Sequence, residues 1–204
     1  AMFGTIARIS STYVFLFIIF GAFLLRSGAG EFVINLARAV AGRMVGGPGI
    51  VAVIASGLFG SISGSAIANT VSTGAFTIPM MKKAGFKPHV AGGIEPAASI
   101  GGMFMPPIMG AGGFIMAELT GLPYSQIMLV AIFPALMYFF SVFMMVHYEA
   151  KKHNIVGEKS KESAMEILRK EWFYILPLVM ITILMLMGYS PGYSAILGIV
   201  TCIA

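Results

Sequence analysis

The chain has 204 residues, 58% of them hydrophobic and only 10% charged, with a mean hydropathy of +0.91, whereas a soluble domain carries about 25% charged residues. This excludes an ordinary soluble domain and indicates a bilayer protein. The eight acids are all Glu and the net charge is +5, with the basic residues clustered between charge-free runs, so the excess reads as cytoplasmic loops facing anionic lipid and not as a nucleic-acid surface.

No secretory signal is expected, because the first apolar run starts after Arg8 and no small-residue cleavage site precedes Arg26. Residues 10–25 form a plausible span. Over residues 31–45, Phe32, Val33, Leu36, Ala37, Val40 and Met44 recur near the helical period with Arg38 and Arg43 between them. That pattern predicts a short amphipathic helix at the interface, and residues 1–47 are taken as the first unit.

Residues 44–81 then run for 38 residues without a charge, which as one straight helix would be about 57 Å long. Both flanks are basic, Arg38 and Arg43 before and Lys82, Lys83 and Lys87 after, so both ends belong on the cytoplasmic side. Two arms of roughly 16 residues fall short of a full crossing. A re-entrant hairpin over residues 48–83 follows, its tip at residues 60–65, where Gly60, Ser61, Ser63, Gly64 and Ser65 crowd together. Beyond it a broken span covers residues 88–118: Pro106 and Pro107 lack amide protons and clash with the preceding turn, so the helix breaks near mid-membrane.

Residues 118–125 carry no Lys or Arg and are assigned outside; residues 125–150 return inward to a basic linker, residues 151–171, which includes an amphipathic surface helix over residues 158–171. Residues 172–204 hold one more span, an outer turn at residues 188–193 and a final run too short to cross. The sole cysteine, Cys202, excludes disulfide frameworks, Cys-based zinc sites and CxxC redox chemistry.

Hairpin tip and Pro-Pro break are two broken elements, and exposed half-helix ends inside transporters hold sodium and anionic substrate groups. A competing structural interpretation has Gly60 and Gly64 as a small-residue packing face, with Ser hydroxyls bonding back to helical carbonyls. Glu95 and Glu118 fall at the inner and outer ends of the broken span and are expected as solvated interfacial charges, so no relay of buried acids is visible. Cation binding must then rest on carbonyls and hydroxyls, which suit a hard ion such as sodium. Serine hydrolysis is disfavoured, because His89, His147 and His153 fall at predicted cytoplasmic ends, out of reach of the tip. Packing glycines account for Gly110 to Gly113, since no Lys-Ser/Thr follows them.

The run Gly57-Leu58-Phe59-Gly60-Ser61-Ile62-Ser63-Gly64-Ser65-Ala66-Ile67-Ala68-Asn69-Thr70, with Met105-Pro106-Pro107-Ile108-Met109-Gly110 and Phe114-Ile115-Met116-Ala117-Glu118, resembles the large membrane subunit (DctM-like) of tripartite ATP-independent periplasmic transporters. It is most similar to fused small-plus-large permeases that work with TAXI-type binding proteins. The resemblance implies one half of an inverted-repeat, elevator-type all-α fold in the bacterial or archaeal cytoplasmic membrane. It also implies sodium-coupled import of organic acids, C4-dicarboxylates among them, delivered by a periplasmic solute-binding protein, with no enzymatic activity and no cofactor beyond the coupling ion. On it, Ser61, Ser63, Gly64, Ser65, Gly101, Met105 and Pro106 are expected at a sodium site, and Ser65, Asn69, Thr70 and Ser99 at the substrate. Ile108 stands where many dicarboxylate-type members have Ser, and nothing repeats residues 60–66, so the chain is expected to be the N-terminal half, partnered by a C-terminal half, a four-span small subunit and membrane lipid. A channel subunit built from the same broken helices is the alternative function.

Overall fold

The computed structural model describes residues 4–157 and 163–203. Ala1, Glu158, Lys159, Lys161 and Ala204, on which the expected truncation and part of the linker helix rest, lie outside them. Every regular element among the described residues is helical, as expected for an all-α membrane protein.

The first span is a run of short helices, α1 (Thr5–Ile9), α2 (Phe15–Leu24) and α3 (Gly30–Ala41), joined through π-helical turns at Ser10–Val14 and Leu25–Ala29. A kink at Gly28, with φ of 109°, separates the apolar α2 from α3. The amphipathic α3 buries Phe32, Val33, Ala37 and Ala41. This face packs against α4 and α9, so protein covers Phe32, Val33 and Ala37 of the stripe that the sequence assigned to the interface, while Val40 and Met44 stay exposed.

The hairpin is present as α4 (Gly47–Ser63) and α5 (Ala66–Lys83). Pro48 in the first turn of α4 needs no amide partner there, and the Ser65 side chain caps α5 by accepting from the Ala68 amide at 3.3 Å. The tip is tighter than the six residues expected: helix continues through Ser63, and only Gly64 and Ser65 turn the chain. Gly64 can end α4 because it adopts φ of 60°, a left-handed conformation that costs other residues about 1–2 kcal/mol. Buried along nearly its whole length, α4 packs against α3, α5, α6 and α8, and is the central helix of the molecule.

The broken span is α6 (Pro88–Gly102) and α7 (Ala111–Thr120), separated by residues 103–110. Next comes α8 (Tyr124–Lys152), one of two helices among the described residues that are long and apolar enough to cross a membrane, the other being Ala7–Ala41 taken as a unit. It exposes Leu129, Val130, Phe133, Leu136, Met137 and Phe140, the outer surface expected of a helix that faces lipid. After α8 the chain returns to the root of the hairpin, where the Gly46 amide donates to the Ile155 carbonyl at 3.1 Å.

The surface helix is realised as α9 (Ala164–Glu171), started by a reciprocal capping box between Ser163 and Glu166. Residues 172–187 were expected as one span; they form a 3-10 turn at Trp172–Tyr174 and a helix of 11 residues, α10 (Leu176–Leu186). At 1.5 Å per residue that helix is about 16 Å long, too short to cross alone. Its partner is α11 (Pro191–Ile203), packed on α10 and α2.

Candidate functional site

Four helix ends meet where the hairpin tip touches the break. The Ile108 amide donates to the Ser61 carbonyl at 3.2 Å, and a methyl group on Gly110 would lie 3.0 Å from the Gly64 carbonyl oxygen. On Gly64 it would collide with the Met109 carbonyl. One turn below, Gly60 and Gly102 approach so closely that an added β-carbon on either would lie 2.5 Å from the other's α-carbon. The C-terminal ends of α4 and α6, which carry partial negative charge, therefore adjoin the N-terminal ends of α5 and α7, which carry partial positive charge. Carbonyl ends suit a hard cation, and amide ends suit an anion.

The expected site residues fall on both sides of this junction. Ser61, Ser63, Gly64 and Ser65 line the tip, while Gly101, Met105 and Pro106 belong to the end of α6 and the break. The Ser61 hydroxyl bonds back to the Leu58 carbonyl at 2.7 Å, as the packing alternative anticipates. At Ser63 the hydroxyl receives the Ser65 amide at 3.4 Å. Ser99 is fully buried, and its hydroxyl has no hydrogen-bond partner among the described residues. Thr70 is half-buried; Asn69 is fully enclosed, its amide nitrogen donating to the Ser56 carbonyl at 2.8 Å.

Glu95 corrects the sequence-based expectation. Read as an interfacial, solvated charge, it is completely buried. The physical reason is that α6 starts at Pro88, so Glu95 lies well inside a helix that the hairpin covers. Its Oε1 accepts from the Ser56 hydroxyl at 2.6 Å and from the Thr73 hydroxyl, and its Oε2 accepts from the Thr77 hydroxyl. Thr73 also lies 3.1 Å from the Ser56 oxygen and 2.8 Å from the Asn69 carbonyl. Among the described residues no Lys, Arg or His pairs with Glu95; the carboxyl–imidazole contact found is His153 with Glu149 at 3.3 Å. The sequence did carry a signal: Asn69, Thr73 and Thr77 recur every four residues, one polar stripe along α5 that needs a polar partner when buried.

Glu118 is exposed, as expected. It borders a cavity of about 490 Å³ with Tyr13, Phe114, Leu122, Pro123, Tyr124 and Pro191, so the two segments assigned to the outer side, residues 118–125 and 188–193, meet around one opening. At the tip, the serine hydroxyls engage backbone groups, and among the described residues none is hydrogen-bonded to an imidazole.

The family model described as "Tripartite ATP-independent periplasmic transporter, DctM component" matches residues 1–204. A putative TRAP transporter large permease of Haemophilus influenzae is 27% identical over 168 residues, 81% of this chain and 39% of the relative. The sialic acid TRAP transporter permease protein SiaT of the same species is 27% identical over 185 residues, 89% of this chain and 30% of the relative. The C4-dicarboxylate TRAP transporter large permease DctM of Rhodobacter capsulatus is 36% identical over 91 residues, 45% of this chain and 21% of the relative. The chain thus spans about two fifths or less of the length of these curated relatives.

Proposed function

The chain belongs to the DctM component family of tripartite ATP-independent periplasmic transporters, and on that premise we propose that it forms part of the permease of a sodium-coupled importer of organic acids. The acids are handed over by a periplasmic solute-binding protein of TAXI type, and a four-span small subunit, fused or separate, completes the assembly in the cytoplasmic membrane. The observation that carries this reading is the junction of Gly64 with Met109 and Gly110. There two carbonyl ends and two amide ends converge, with no carboxylate cage among the described residues, a layout that serves a sodium ion and an anion side by side.

In this proposal the oxygens of Ser61, Ser63, Gly64 and Ser65, with the backbone of Gly101, Met105 and Pro106, hold sodium. Ser65 and Thr70 border the substrate, with Asn69 and Ser99 forming the wall behind them. The hairpin enters the membrane without crossing it, and the hairpin and broken helix travel together as one body in an elevator motion. Relatives named for sialic acid, 2,3-diketo-L-gulonate and C4-dicarboxylates support organic acids as the class; the substrate carboxylate finds its basic partner elsewhere in the complete permease.

The test is uptake of labelled organic acids into liposomes that contain the complete permease, with its binding protein outside and with or without a sodium gradient. Uptake is expected to require both, and Ser63→Ala or Ser65→Ala is expected to weaken the sodium dependence. Passive ion current independent of the binding protein would replace this reading with a channel.

A further inference from the structure

Glu95 is the residue of α6 whose side chain bonds to both arms of the hairpin: Ser56 on α4, and Thr73 and Thr77 on α5. The neighbouring Gly60–Gly102 contact is one of close approach; dispersion of this kind sets a separation but is only weakly directional along the helix axis. Hydrogen bonds to an ionisable carboxyl are directional and short-ranged. Three of them, from two arms onto one side chain, define the axial register of α4, α5 and α6 together.

Ser56, Thr73 and Glu95 lie at nearly the same depth below the tip, and Thr77 lies one turn deeper on α5. Seven residues separate Glu95 from Gly102, and eight separate Ser56 from Gly64 and Ser65 from Thr73, or about 10–12 Å along each helix. A helix transmits an axial displacement almost undiminished over that length, so slippage at Glu95 becomes slippage of Gly64 against the end of α6, to which Gly110 is tied by its amide donating to the Met103 carbonyl.

We propose that Glu95 is a positioning residue for the ion site: its carboxyl clasps both hairpin arms to α6 and so sets the spacing of the oxygens at the tip, without touching the ion. The proposal rests on the sodium site described above. The clasp works through hydrogen bonds and not through net charge. Gln retains it, because its carbonyl accepts from Ser56 and Thr73, and its amide donates to a Thr77 hydroxyl whose own proton goes to the Thr73 carbonyl 3.0 Å away.

Two readouts on the complete permease test this. In sodium-driven uptake, Glu95→Ala is expected to raise the sodium concentration for half-maximal rate about tenfold or more, while Glu95→Gln stays within about twofold of the parent. Equal impairment of both variants would overturn the proposal, because charge would then be what matters; an unaltered sodium requirement in Glu95→Ala would overturn it too. The second readout is the distance distribution between spin labels at Val71, 69% exposed, and Gly93, where an added side chain meets open space. Glu95→Ala is expected to broaden it and Glu95→Gln to leave it narrow, and an unchanged width in Glu95→Ala would remove the clasp. Should Glu95→Ala fail to assemble, Thr77→Val takes its place, with a smaller shift in the same direction expected in both readouts. If the parent itself shows no sodium dependence, the sodium reading fails while the distance measurement still decides the clasp.

Discussion

Gly60 of α4 and Gly102 of α6 face each other so closely that a methyl group on either would stand 2.5 Å from the other's α-carbon. No backbone-preserving rotamer relieves such a contact, because the colliding atoms are main chain. Gly60→Ala or Gly102→Ala is therefore expected to destabilise the permease by about 1–3 kcal/mol, the range for overpacked cores. The check is thermal melting of the complete permease in detergent, and an unchanged midpoint in both variants would show that the two helices separate freely.

Gly92 and Gly93 lie on the same helix as Gly102 but in open space. Alanine there removes the helix penalty of glycine, about 0.5–1 kcal/mol, with nothing to strike. Gly92→Ala is expected to hold or raise the melting temperature, opposite in sign to Gly102→Ala. A loss comparable to that of Gly102→Ala would mean that another part of the complete permease covers this face.

At Gly64 two penalties coincide, the left-handed backbone at φ of 60° and the Met109 carbonyl in the path of any β-carbon. Conformational cost alone is about 1–2 kcal/mol, and the collision pushes tip and break apart. Gly64→Ala is expected to abolish sodium-dependent uptake while leaving a folded protein at the membrane. Size-exclusion profile and uptake measured side by side decide this, and full activity in Gly64→Ala would dissociate the tip from transport.

The hydroxyls around Glu95 supply a further contrast. Thr73→Val removes a donor from an enclosed carboxyl, and a buried polar group left short of a partner costs about 1–3 kcal/mol. Ser11 is exposed, and its hydroxyl bonds the Arg8 carbonyl one turn back on its own helix, so Ser11→Ala is expected to change stability by less than about 0.5 kcal/mol. Similar melting temperatures for the two variants would show that the Thr73 bond is dispensable.

Much of the architecture is legible in the sequence. The charge-free run flanked by Arg43 and Lys82 located the hairpin, and Pro106 with Pro107 located the break, because both signals act within a few residues of where they stand. Gly64 as a turn and Ser65 as a cap are likewise local, decided by backbone conformation and by one side chain reaching its own helix start. Where the sequence erred, the deciding partner was distant. Residues 60–63 looked like open tip but stay helical, with Gly60 seated on Gly102 and the Ser61 carbonyl taken up by the Ile108 amide.

Composition and spacing alone thus determined that this is a helical membrane chain with a hairpin, a broken helix and hydroxyls near both, since solvation of the backbone in lipid permits few other arrangements. Only the tertiary structure decided that Glu95 is enclosed by Ser56, Thr73 and Thr77, because burial depends on which helix covers a side chain, and Ser56 is 39 residues away. Periodicity tells which face of a helix is polar; it takes the packed partner to show whether that face meets water or a matching set of donors.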